Sequence, residues 1–152
     1  MTTRSGVFGA LTKDHRDQLM PLAREVSFAT GERIFNEGRK ADRFWIIHRG
    51  SVALDLDVPG RHAAVIETLG AGELLGWSWL IPPQHWHLGA EASSPVSAYE
   101  FDAAAVRELC GKDPVLDHTL CMYVAGVIAD RLRAARVRLL DLYAPYGAGQ
   151  VP

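Results

Sequence analysis

The chain has 152 residues, 48% hydrophobic and 22% charged, the size and mix of one folded domain that buries roughly 70% of its unfolded surface without metal or disulfide. Sixteen Lys and Arg against 18 Asp and Glu leave a net charge of −2, which argues against a chain built to grip nucleic acid or an anionic membrane. Cys110 and Cys121 lack metal-ligand spacing and read as reduced thiols of a cytoplasmic protein. No stretch approaches roughly 18 uninterrupted apolar residues, and Met1 to Gly6 has no apolar core behind its single charge, so neither a membrane span nor a secretion signal is expected.

In chain order, Thr12 is placed to cap a first short helix, with Asp14 in its first turn and Leu19, Leu22 and Ala23 on an apolar face. From Val26 to Phe101 the texture changes to short apolar runs broken by Gly and Pro. Phe28, Ile34-Phe35, Phe44 to Ile47, Val52 to Leu54, Ala63 to Ile66 and Val96 to Tyr99 read as strands, with Gly31, Gly38, Gly50, Gly60, Gly70 and Gly72 as turn residues. Such a series suggests an antiparallel sandwich or barrel. After Phe101, Asp102 caps a short helix to Leu109, and Pro114 opens a longer one running to about Tyr143, stopped by Pro145 and Gly147. In that helix Cys121, Ile128, Ala135 and Leu142 share one heptad position, and Ala125, Leu132 and Leu139 another. The seam favours a paired helix; the alternative is one amphipathic helix packed on its own barrel. The chain thus divides into an N-terminal helical segment (1–25), a β-roll (26–101), C-terminal helices (102–143) and a tail (144–152).

The run Gly31-Glu32-Arg33-Ile34-Phe35-Asn36-Glu37-Gly38, then Ala41 to Ile47, then Gly50-Ser51-Val52, then Leu69 to Gly76, resembles the cyclic nucleotide-binding domain family, over roughly Phe8 to Tyr143. The resemblance implies a mainly β fold with flanking helices: a double-stranded β-helix, or jelly-roll barrel, with a long C-terminal helix serving as dimer interface and ligand lid. It also implies a phosphate-binding cassette, with a Glu for the ribose and an Arg for the phosphate. Counted without gaps from Gly76, those two positions fall on Trp77 and Trp86, and no Arg or Lys lies between Arg61 and Arg107. Losing a buried bidentate Arg costs an anion site several kcal/mol.

What remains of the cassette nominates Leu75, Gly76, Trp77, Ser78, Trp86, His87 and Gly89 as ligand-binding residues. The backbone of Gly76 to Ser78, opening a short helix, offers N–H groups to an anion. Trp77, Trp79 and Trp86 offer faces to a purine, and His85 or His87 a donor. Arg131, on the lid helix, is a candidate for the cation that the cassette lacks. The competing reading is that the tryptophans fill the pocket as core residues. His85-Trp86-His87 offers too few ligands for a metal, and no catalytic motif is present.

Two functions follow. The first is a non-enzymatic cytoplasmic sensor, with cyclic AMP or cyclic GMP as the candidate ligand, a homodimer through residues 115–143, signalling through a partner protein. The second is an adaptor whose pocket is filled by Trp and takes no cyclic nucleotide. The resemblance to catabolite-activator-type sensor domains would place a helix-turn-helix after the long helix. The residues from Ala144 to Pro152 are too few for one, so direct DNA binding is not expected.

Overall fold

The structure, a computed structural model, describes residues 6–60 and 63–147. The readings made at Met1 to Ser5 and for the tail beyond Gly147 lie outside the described residues. The elements run α1 (Val7–Ala10), α2 (Lys13–Leu19), a 3₁₀ turn (Met20–Leu22), β1 (Ala23–Phe28), β2 (Arg33–Phe35), β3 (Arg43–Arg49), β4 (Val52–Leu56), β5 (Ala64–Leu69), β6 (Leu74–Leu75), β7 (Gly89–Ala92), β8 (Val96–Asp102), α3 (Ala103–Lys112) and α4 (Pro114–Gly147). The strands form two four-stranded antiparallel sheets, in the orders β1-β8-β3-β6 and β2-β7-β4-β5. This is the jelly-roll barrel with flanking helices that the sequence implies.

The capping chemistry falls where the residues put it. The Thr12 side chain accepts from the His15 amide at 3.2 Å, and Asp102, the last residue of β8, accepts from Ala105 at 3.1 Å to start α3. The apolar face expected to continue through Leu22 and Ala23 does not: Pro21 lies in the 3₁₀ turn that ends α2, and Ala23 opens β1. Two strands gave no local signal. β6 is only two residues long, and β7 is Gly-Ala-Glu-Ala, poor in β-branched residues. Pairing between β2 and β4 makes β7 a strand, with Ala90 and Ala92 fully buried. At the other end α4 passes its expected stop: Pro145 falls in the final turn, and the helix ends at Gly147.

β3 carries four consecutive buried residues because both of its faces are covered. Phe44 turns to one side and stacks between Trp79 (4.7 Å between centroids) and its cross-strand partner Phe101 (4.9 Å). Trp45 turns to the other, against Phe35 at 5.6 Å, its indole N–H donating to Glu100 at 3.0 Å. Helix α4 packs into the core beside α1 and α3 through Leu116, Leu120, Tyr123, Val124 and Val127. Of the heptad seam, Cys121, Ala125, Leu132, Ala135 and Leu139 are exposed, whereas Ile128 is half-buried and packs against the core. Packing on its own barrel therefore accounts for Ile128 but not for the exposed seam positions. Among the described residues no helix is long and apolar enough to cross a membrane.

Candidate functional site

β6 leads into the segment between Gly76 and Leu88, which crosses one end of the roll. Gly76 sits at φ +90°, a conformation open to glycine, and a Cβ there would come within 2.8 Å of the Trp86 ring. After it, bonds from the Leu80 amide to the Trp77 carbonyl (3.1 Å) and from Ile81 to Ser78 (3.3 Å) make isolated turns. The expected short helix does not form, since Pro82 and Pro83 supply no donors to continue it. The helix N-terminus proposed as an anion seat is therefore missing.

Trp86 is held from the backbone. Its amide donates to the Arg39 carbonyl at 2.8 Å, its carbonyl accepts from Gly38 at 2.8 Å, and the Gln84 carbonyl accepts from Ala41 at 2.7 Å. This pairing turns the indole inward, where it is 5% exposed and stacks on Phe35 at 3.9 Å and 15°. Trp77 lies against the His87 ring at 4.9 Å, and His87 Nδ1 is 3.0 Å from Ser78 Oγ. The Ser78 and His87 side chains thus satisfy each other, whereas the buried Trp79 Nε1 has no hydrogen-bond partner among the described residues.

Gly76, Trp77, Ser78, Trp86, His87 and Arg131 meet around one cavity, together with Phe35, Leu54 and Leu88. Its volume is about 30 Å³. Two nominated residues stand elsewhere. Leu75 is fully buried in β6 opposite Trp45. Gly89 lies in β7 between Arg33 on β2 and Asp55 on β4, where a Cβ would strike both side chains. Its bareness lets the Arg33 guanidinium reach across to Asp55 in a two-pronged pair at 2.5 and 3.1 Å. That bond raises the Arg33 pKa further. Phe35 belongs to the Gly-Glu-x-Ile-Phe run and could have been found from it; Leu54 and Leu88 carry no signal beyond hydrophobicity.

Arg131 comes to the cavity from α4. Its Nη2 donates to the Leu74 carbonyl at 2.8 Å, its Nε is 3.7 Å from Glu67 on β5, and its side chain is 15% exposed. Burial lowers the Arg131 pKa, with the Glu67 and Glu73 carboxylates pulling the other way. Burial likewise raises that of Glu67 against the pull of Arg131. On its outer side Arg131 borders a groove of about 500 Å³ between β5, β6 and the far half of α4. Among the described residues no group of three or more His, Cys, Asp or Glu could hold a metal ion.

Residues 25–113 match the family model of the cyclic nucleotide-binding domain. The chain is 26% identical over 139 residues to a CRP-like cAMP-activated global transcriptional regulator of Mycobacterium tuberculosis, covering 91% of this chain and 60% of that one. It thus spans less than two thirds of the length of that regulator. Among solved structures, a cyclic nucleotide-binding domain from Methylobacillus flagellatus superposes with a TM-score of 0.78 at 20% identity, over 86% of this chain and 74% of that one. The catabolite activator protein of Thermus thermophilus does so with a TM-score of 0.71 at 24% identity, over 91% and 62%. Both structures are likenesses of fold.

Proposed function

We propose that this chain, which belongs to the cyclic nucleotide-binding domain family, is a non-enzymatic regulatory module whose cassette is closed by its own tryptophans. It pairs through α4 and acts by presenting the roll and that helix to a protein partner. One observation carries the reading: Trp86 occupies the cassette, leaving about 30 Å³ where a drug-sized ligand needs about 300–1,000 Å³. The chemistry agrees with the volume. Ser78 and His87 bond each other, and Arg131 is engaged by Leu74 and Glu67. A phosphate entering here would find little room, and Arg131, the one cation at the cavity, already donates to Leu74 and faces Glu67. Of the two functions the sequence leaves open, the geometry favours the filled adaptor.

Pairing is supported by the exposed seam on α4, an apolar stripe at heptad spacing facing away from the roll. Both cysteines are free thiols, which suits a reducing compartment such as the cytoplasm.

Titration calorimetry with cyclic AMP and cyclic GMP tests the closed cassette. The wild type is expected to give no saturable heat at millimolar nucleotide, and the double variant Trp77→Glu, Trp86→Arg to gain it. Saturable binding by the wild type in the micromolar range would refute the reading.

A further inference from the structure

We infer that Arg131 is a latch that holds α4 closed on the roll without any ligand, so that the helix is presented constitutively. The inference rests on the closed cassette and adds the state of the lid. A lid helix is a bistable element whose position depends on what ties it down. In this chain the tie is internal. The guanidinium of Arg131 reaches from α4 to the carbonyl of Leu74 at 2.8 Å, on the strand that feeds Gly76 and the cassette turn. Glu67, on the neighbouring sheet, stands 3.7 Å from its Nε. One side chain therefore joins α4, β6 and β5.

Its place along the helix makes it the last such tie among the described residues. The apolar docking face of α4 ends at Ile128, and every residue from Leu132 to Asp141 is exposed. Beyond Arg131 the helix overhangs the groove of about 500 Å³. Arg131 thus marks the boundary between the docked and the free part of α4. Burial strengthens the contact, because the 15% exposed guanidinium has little water to exchange its bond for, and an unmade bond here would strand a buried charge. A surface arginine at this position would contribute far less.

Amide hydrogen exchange on the full chain, with no ligand added, tests the latch. Wild type is compared with Arg131→Met, which keeps the stem and removes the charged head, and with Glu67→Gln, which leaves the Leu74 bond in place. Light scattering fixes a matched association state. Arg131→Met is expected to speed exchange about tenfold in residues 124–131 and around Leu74, with β1 and β8 unchanged. Glu67→Gln is expected to have a smaller effect in the same segments. Unchanged exchange in α4 of Arg131→Met would overturn the latch. So would acceleration spread evenly over β1 and β8, which would make Arg131 a support of the whole fold. A separate arm adds cyclic AMP to the wild type. Slowed exchange in the Gly76 to Leu88 segment would overturn the closed cassette, whereas the latch stands or falls on the ligand-free comparison of variants.

Discussion

Trp86 is packed as a core residue. Its ring lies 3.9 Å from Phe35 and 6.0 Å from Trp45, and Gly76 leaves it room by having no side chain. Aromatic pairs of this kind contribute about 0.5–1.5 kcal/mol beyond the area they bury. Trp86→Ala should therefore cost about 3–5 kcal/mol of stability and leave an apolar hole. Urea unfolding measures the loss, and added indole is expected to restore part of the melting temperature by refilling the hole. A loss below about 1 kcal/mol, with no response to indole, would show that Trp86 is not a packed core residue. Gly89 gives the contrasting lesson. Its glycine looks like part of a ligand-binding run, yet its structural use is to let Arg33 and Asp55 meet across a strand. A bare sequence cannot separate those uses, because both ask only for the absence of a Cβ.

Helix α4 has a buried apolar face and an exposed apolar one, and each is set by spacing. Leu116, Leu120, Tyr123, Val124 and Val127 pack into the core, whereas Cys121, Ala125, Leu132 and Leu139 point away. Heptad spacing made the seam visible in advance; the docking face was not separable from it, since both are apolar and interleaved. The pair Leu132→Asp, Leu139→Asp is expected to convert a dimer to a monomer in sedimentation velocity while leaving the roll folded. An unchanged mass for the variant, or a monomeric wild type at micromolar concentration, would contradict pairing through this face. Strands followed a similar division. β3, β4 and β8 are rich in residues that suit a half-buried pleat, and the residues alone marked them. β7 is made by its neighbours, and β6 by a two-residue pairing with β3, so neither has a local pattern to find.

The molecule has the roll and the long C-terminal helix of the cyclic nucleotide-binding fold, with an aromatic segment between Gly76 and Leu88. The fold was readable because glycine turns and the Gly-Glu-x-Ile-Phe run fix a backbone that many sequences share. The state of the pocket was not readable, because a tryptophan at a binding position serves equally as a stacking platform or as a plug. Only its direction decides, and that direction comes from backbone bonds to residues 38–41, more than forty positions earlier in the chain. In the proposed reading, filling the cassette removes the ligand's place, and tying α4 through Arg131 removes the need for it. The measurement to make is a heteronuclear NMR titration following the indole N–H signals of Trp45, Trp77, Trp79 and Trp86, with cyclic AMP, cyclic GMP, cyclic dinucleotides and ATP added in turn to millimolar concentration. The closed cassette requires all four signals to stay in place throughout. Saturable movement of the Trp77 and Trp86 signals with any one nucleotide would contradict it.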